Sequence, residues 1–181
     1  MNTTSLLASS EDVSKAISAM AATMISNHSA DSPLFVALLR GAAPFTSKLM
    51  FELARQKPEF HAELDYMMVS TYGIGRTAGE PHIVTDLAPD TVVKDRTVVI
   101  LDDVLDKGVT ANFVIHHLHN RGADNVHLAV LCQKIVQRVY PIEPMYCGFT
   151  FGDEWLVGMG MDDAKTQKEG YRWLDEIRSI T

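Results

Sequence analysis

Between Thr97 and Thr110 the chain reads Thr-Val-Val-Ile-Leu-Asp-Asp-Val-Leu-Asp-Lys-Gly-Val-Thr. An apolar, β-branched run delivers two adjacent carboxylates, Asp102 and Asp103, then a third, Asp106. The short loop Lys107-Gly108 follows, and helical spacing resumes with Phe113, Ile115 and Leu118. Such a run reads as a buried parallel strand, which sets the acids and the loop at its C-terminal end, where open α/β sheets bind ligands. Backbone N–H groups opening a helix accept a phosphate, while carboxylates hold sugar hydroxyls or a metal ion. Acids beside a phosphate cradle point to a sugar phosphate. The plain alternative is an acidic turn whose Asp side chains cap the helix.

Other residues suit ligands less distinctively. Leu39-Arg40-Gly41 ends an apolar strand, and Gly41 lets its neighbours turn N–H groups toward an anion; a tight turn with an exposed Arg reads equally well. Residues 72–81 read as a long Gly-rich connection. Its Gly73-x-Gly75-x-x-Ala78 has the outward form of a dinucleotide fingerprint, but Gly79-Glu80-Pro81 follows, so no helix can offer its N-terminus to a pyrophosphate. The connection is either a loop that closes over a reacting centre or a surface linker. Lys134, just after the apolar run Val126–Cys132, brings three donors and no acceptor. Taken alone, Trp155 reads as an aromatic strand residue and Asp162 as a helix cap. His116, His117 and His119 crowd one helix and read as surface or interface residues, too few for a metal centre.

These groups need a scaffold, and the periodicity supplies one. Ser10-Glu11-Asp12 opens a helix with Val13, Ile17, Met20 and Met24 at helical spacing, a Met-rich stripe expected in the core. Leu34–Leu39 reads as a buried strand, 44–55 as a helix with Pro44 in its first turn, and Tyr66–Ser70 as a strand. Short extended pieces are expected near His82–Val84, a helix over 110–120, and strands at Val126–Cys132, Tyr146–Phe151 and Trp155–Met159, before a charged tail. Strands alternating with helices, without repeats or linker, predict one doubly wound α/β domain over 1–181, with a mainly parallel central sheet.

Composition narrows the function. The 181 residues suffice for a full core, with 46% hydrophobic and 22% charged residues. A net charge of −7 and the lack of a basic block disfavour nucleic acid as a partner. No apolar stretch has the length of a membrane span. Residues 1–8 lack the charged start and apolar centre of a signal peptide, and Cys132 and Cys147 read as buried free thiols. A cytoplasmic protein is expected.

The segment Leu101–Thr110 resembles the phosphoribosyl-pyrophosphate (PRPP) signature of type I phosphoribosyltransferases. Leu39-Arg40-Gly41, Ser70-Thr71-Tyr72-Gly73, Lys134, the Trp155–Asp162 segment and Tyr171-Arg172-Trp173-Leu174 are similar, in the same order, to motifs of the hypoxanthine-guanine phosphoribosyltransferases. The resemblance implies that family's fold, with a small hood built from terminal segments, and transfer of phosphoribose from PRPP to hypoxanthine or guanine with Mg²⁺ as cofactor. It implies Asp102 and Asp103 on the ribose hydroxyls, directly or through Mg²⁺, and Asp106, Lys107, Gly108, Val109 and Thr110 around the 5′-phosphate. Asp106 would be the acid/base residue near purine N7.

By the same resemblance Leu39, Arg40, Gly41 and Arg172 would bind pyrophosphate, the Leu39–Arg40 peptide would be cis, and Arg138 would stand near the pyrophosphate. Ser70, Thr71, Tyr72 and Gly73 would begin a flexible loop. Lys134 would donate to the 6-oxo group, Trp155 would stack on the base, the Leu156 backbone would reach its edge, and Asp162 would serve base and metal. A homo-oligomer, dimer or tetramer, is implied. The chain departs from the pattern in three places: Asp102 where Glu is commoner, Lys107 where Thr or Ser is usual, and a segment from Asp162 to Tyr171 about four residues longer than in the shortest relatives. A xanthine-preferring enzyme is a rival, decided by backbone carbonyls near Leu156 and Asp162. A non-catalytic, PRPP-sensing regulator that binds RNA is another, but it leaves Lys134 and Trp155 unexplained.

Overall fold

Alternation along three strands decides how the protein is layered. In β2 (Leu34–Leu39), β5 (Thr97–Leu105) and β6 (Asn125–Lys134) successive side chains point to opposite faces. Phe35, Ala37, Val99, Leu101, Ala129 and Leu131 join one core cluster; Leu34, Val36, Val98, Ile100, Leu128 and Val130 join another. Both faces are therefore apolar and both are covered, as a parallel sheet requires. The computed structural model describes residues 4–72, 78–162 and 169–180.

Helices α1 (Ser10–Asn27) and α2 (Ala43–Gln56) cover the first face. Val13, Ile17, Met20 and Met24 of α1 and Phe45, Leu49 and Leu53 of α2 meet there, so the Met-rich stripe is core. Ser9 and Asp12 cap α1 reciprocally, side chain to backbone in both directions. Helix α3 (Val109–Asn120) covers the second face with Ala111, Val114 and Leu118. His116 and His119 point to solvent, and His117 meets Asp86 at 3.1 Å, a surface role for the cluster.

The large sheet runs β4-β3-β2-β5-β6-β7, with β3 spanning Glu63–Tyr72, β4 spanning Ala78–Thr85 and β7 spanning Tyr146–Phe151. All its pairs are parallel except β3–β4. The chain steps from β2 outward to β3 through α2, and from β5 the opposite way to β6 through α3. The winding thus reverses between β2 and β5, the switch point at which such sheets bind ligands.

A second sheet, β1-β9-β8, is antiparallel and joins β1 (Thr4–Ala8), β8 (Trp155–Val157) and β9 (Ile177–Ile180). It is the hood of terminal segments that the resemblance implies. The charged tail expected from sequence is in fact a 3-10 turn, Glu169–Trp173, followed by β9.

Two boundaries also differ from the sequence reading. β5 runs through Leu105, so Asp102 and Asp103 lie within the strand and only Asp106 stands beyond it. The connection read over 72–81 is shorter: Ser70 pairs with His82 and Tyr72 with Ala78. Ser70, Thr71 and Tyr72 are therefore strand and not loop, because antiparallel pairing with β4 satisfies their backbone. Gly73 lies outside the described residues. No helix among the described residues is long and apolar enough to cross a membrane.

Neighbouring positions on α2 give a test of this layering. Leu49 is fully buried, whereas Phe51 is 77% exposed. Leu49→Ala is expected to lower the unfolding free energy by about 2–5 kcal/mol. Phe51→Ala should change it by less than about 0.5 kcal/mol, with urea titration of both variants as the measurement.

Candidate active site

The C-terminal ends of β5 and β6 meet the hood around one cavity of about 180 Å³. Its walls are Asp103, Val104 and Asp106 from β5 and the residues just after it, and Lys134 from the end of β6. Trp155, Leu156, Met161 and Asp162 close it from the hood. Asp106 and Trp155, 49 positions apart in the chain, thus face one hollow. Of the residues singled out from sequence, Asp103, Asp106, Lys134, Trp155, Leu156 and Asp162 converge there. Asp102, its neighbour in β5, does not line the cavity; its carboxyl is hydrogen-bonded to that of Asp103. Lys134 ends β6 and lies over the Trp155 ring, its Nζ 5.8 Å from the ring centroid.

The acid pair is electrostatically costly. Burial, and for Asp102 the charge of its neighbour, pushes the Asp102 carboxyl well above the usual carboxylate range; burial pushes Asp103 up too. Two backbone bonds offset part of this: Asp103 N–H donates to Asp102 Oδ1 at 3.0 Å and Val104 N–H to Asp103 Oδ1 at 2.8 Å. The positive charge of Arg172 also favours ionised Asp103. Cys132 on the adjacent strand has its thiol raised well above its ordinary range by burial, so it remains a neutral apolar side chain.

Two helix starts frame the site. Gly108, left-handed at φ 79°, precedes α3, and no side chain caps that helix. The first-turn N–H groups of Val109 and Thr110 are therefore presented without a side-chain competitor, which suits an anion. Lys107 is exposed, and its carbonyl accepts from Val139 N–H at 2.9 Å and Tyr140 N–H at 3.3 Å. Arg138 binds Gln133, Glu143 and the Ile142 carbonyl within that bracing loop. Gln133 at the end of β6 and residues 142–143 together hold the guanidinium.

The second helix start follows β2. The Leu39–Arg40 peptide is cis, as the resemblance implies, and α2 likewise begins without a side-chain cap. Gly41 lies against the Asp103 carboxylate, which a Cβ at that position would overlap. Gly160, at φ 101°, lies against the Gly41 carbonyl in the same way. Val104, Met161 and Gly160 were not singled out from sequence. The signal for Gly160 was present in Gly158-Met159-Gly160, two glycines two apart just after a strand; Val104 and Met161 carry none beyond adjacency to the acids.

Arg172 is 6% exposed. Its Nη2 donates to Asp162 Oδ2 at 2.9 Å and its Nη1 to the Gly160 carbonyl at 2.5 Å. Trp155 Nε1 donates to the Asp162 carbonyl at 3.1 Å. For a metal ion the donors are hard carboxylate oxygens, apt for Mg²⁺. Among the described residues no three acidic, histidine or cysteine side chains converge on one point. Asp102, Asp103 and Asp162 thus form no cage, and the residues fit an ion held by one or two carboxylates with water and substrate phosphates.

A family model for the phosphoribosyl transferase domain matches residues 4–164. The chain is 33% identical over 173 residues to the hypoxanthine-guanine phosphoribosyltransferase of Lactococcus lactis subsp. lactis, a match spanning 95% of this chain and 88% of that protein. It is 31% identical to the enzyme of the same name from Bacillus subtilis, over 95% of this chain and 90% of that one. A crystal structure of a hypoxanthine phosphoribosyltransferase from Staphylococcus aureus superposes with a TM-score of 0.85 at 27% identity, covering 98% of this chain and 91% of its own.

The acid pair predicts a pH dependence. A carboxyl raised in the folded state favours folding while protonated, and that advantage is lost as pH rises through the raised value. Asp102→Asn keeps an acceptor for the Asp103 N–H and removes the charge. Its Tm is expected to exceed the native value by a few degrees at pH 7.5, the gap closing as pH falls toward about 4. Thermal melts of the ligand-free protein at both ends of that range check it.

Proposed function

Because the chain belongs to the phosphoribosyltransferase family, we propose that it transfers the 5-phosphoribosyl group of PRPP to hypoxanthine or guanine, giving IMP or GMP and pyrophosphate in purine salvage. The observation that carries this reading is the single cavity between Asp106 and Trp155 with Lys134 at its side. A purine held there has an acid/base group at one flank, a stacking face below and a cationic donor within reach.

Each step has a group suited to it. The uncapped start of α3, with Gly108, Val109, the Thr110 hydroxyl and the exposed Lys107, receives the 5′-phosphate. Asp102 and Asp103 accept from the ribose hydroxyls. Trp155 stacks on the base, a contact worth about 1–3 kcal/mol, while the Leu156 backbone meets its edge. Lys134 donates to the 6-oxo group and would meet adenine's amino group as donor against donor. As the C1′–O bond breaks, its electron pair leaves with pyrophosphate, and N9 of the base supplies the pair for the new C1′–N9 bond. Asp106 shares the proton at N7, which keeps electron density on N9. Leu39, Arg40 and Gly41 receive pyrophosphate through backbone N–H groups beside the start of α2. Mg²⁺, when bound, neutralises charge developing on the leaving group, with Asp102, Asp103 and Asp162 as its nearest carboxylates.

The protein acts as one unit over 1–181 in the cytoplasm, where unpaired Cys132 and Cys147 suit the reducing conditions. A homo-oligomer, dimer or tetramer, is carried over from the resemblance.

Incubation with PRPP, Mg²⁺ and each of hypoxanthine, guanine, xanthine and adenine tests the reading. Nucleotide should form with the first two; none with any base would refute transfer, and xanthine alone would shift the specificity. Asp106→Asn is expected to fold and bind PRPP while kcat falls about 10²–10⁴-fold; near-native kcat would remove Asp106 from that role. Lys134→Ala should lower kcat/KM for both oxopurines about 10–100-fold, the worth of a charge-assisted bond. Unchanged values would take Lys134 out of the pocket.

A further inference from the structure

Asp162 is held from two sides. Its main-chain carbonyl takes the Trp155 indole N–H, and its carboxylate takes Arg172. Arg172 also binds the Gly160 carbonyl, and the Gly160 N–H donates back to the Arg172 carbonyl at 2.9 Å. Met159 N–H donates to the Leu174 carbonyl at 2.8 Å, so the turn after β8 is stitched to residues 172–174 along its length. The guanidinium is buried, with both its terminal nitrogens turned onto that turn, whereas the Asp162 side chain it grips is 52% exposed. This is the geometry of a residue that fixes a wall of the cavity from behind. Of Phe, Tyr and Trp, only Trp carries a ring N–H that can hold an in-plane acceptor. Rotation of the Trp155 ring away from Lys134 must break that bond.

We propose that Arg172, Asp162 and Trp155 form a brace that sets affinity for the purine base, with Arg172 a positioning residue that acts through Asp162 on the orientation of the Trp155 ring. The inference rests on Trp155 being the base platform. It departs from the expectation that Arg172 binds pyrophosphate. A ring fixed before the base arrives loses little freedom when the base stacks, which strengthens binding without a new contact. The brace acts first on the base; on the PRPP side Arg172 is felt only through its charge at Asp103 and its hold on Asp162.

The test uses the two tryptophans. Trp173 is 67% exposed and lies outside the cavity. Trp173→Phe leaves Trp155 as the sole indole, and its anisotropy in the ligand-free protein reports ring mobility. In that background Arg172→Lys and Arg172→Gln are expected to lower the anisotropy. The same two changes should raise KM for hypoxanthine about three- to tenfold, a hydrogen bond's worth, and more than they raise KM for PRPP. Arg172→Lys should show the smaller effect.

In the native background Trp155→Phe keeps a stacking ring, loses the N–H and should raise the same KM with little change in KM for PRPP. The brace is overturned if the Arg172 variants raise KM for PRPP while anisotropy and KM for hypoxanthine stay put. It is overturned independently if Trp155→Phe leaves KM for hypoxanthine unchanged, a readout that stands even where an Arg172 variant fails to fold. Trp155→Ala separates the two readings. If it raises KM for hypoxanthine and Trp155→Phe does not, the platform stands and the brace falls. If neither does, the platform falls as well.

Discussion

Asp103 can stand in the cavity because position 41 has no side chain. A Cβ on Gly41 would overlap the Asp103 carboxylate, and a Cβ on Gly160 would overlap the Gly41 carbonyl. The central strand, the loop after β2 and the turn after β8 are therefore stacked as carboxylate on backbone on backbone. Nothing the thickness of a side chain separates them. This contact ties the small antiparallel sheet to the large parallel one at the site, and it fixes distances on both sides. Asp106 follows three residues after Asp103, and Trp155 precedes Gly160 by five. Interiors this tightly packed yield little to strain, so one stack sets the width of the cavity.

The charge arrangement has the same economy of parts. Two adjacent carboxylates in the middle strand of an apolar sheet oppose folding, and a sheet optimised for stability would not carry them. Their nearest compensation is local: two N–H groups of their own strand, plus the charge of Arg172, delivered from the hood. The residue that fixes the hood's turn is thus also the cation felt by Asp103. On the proposed assignment, ribose hydroxyls or a hydrated cation would add to that compensation. The free site is electrostatically unfinished, and that is what gives substrate a differential grip on it.

Much of the central sheet was legible in the sequence because its signals are local. The run Val98–Leu101 announces a buried strand, the Met and Ile spacing of α1 announces a covering helix, and both hold. The hood was less legible. Ser5 and Leu6 of β1 are exposed, and β9 carries Arg178 and Ser179 between its apolar ends. Such short strands exist only through their partners, and pairing across the length of the chain leaves no periodic trace. The same holds for the end of β3, where pairing with β4 overrode a glycine-containing stretch that reads as loop. At the site the residue types were legible but their directions were not. Sequence placed Asp102 and Asp103 together, and of the two only Asp103 lines the cavity. Arg138 and Arg172 look alike as free cations in a sequence, yet each is claimed by carbonyls and carboxylates close by in the fold.

The division into two sheets explains why the chain ends matter to the chemistry. The uncapped start of α3 and the acids belong to the parallel sheet, whereas Trp155, the proposed platform for the base, belongs to β8. In the small sheet Ile180 of β9 pairs with Trp155 on one side and with Thr4 of β1 on the other. The stacking residue thus lies in one row with residues from both ends of the chain. Transfer between C1′ and N9 needs those atoms brought to roughly 3–3.5 Å in line. On the proposed assignment that approach joins a sugar held by one sheet to a base held by the other, so it is set by how the sheets are seated and not by either alone. A disturbance at the termini would reach the reaction through β9, Trp155 and the Gly41–Gly160 contact. A disturbance of the α3 start would reach it through the phosphate. Catalytic geometry in this fold is a property of the seam.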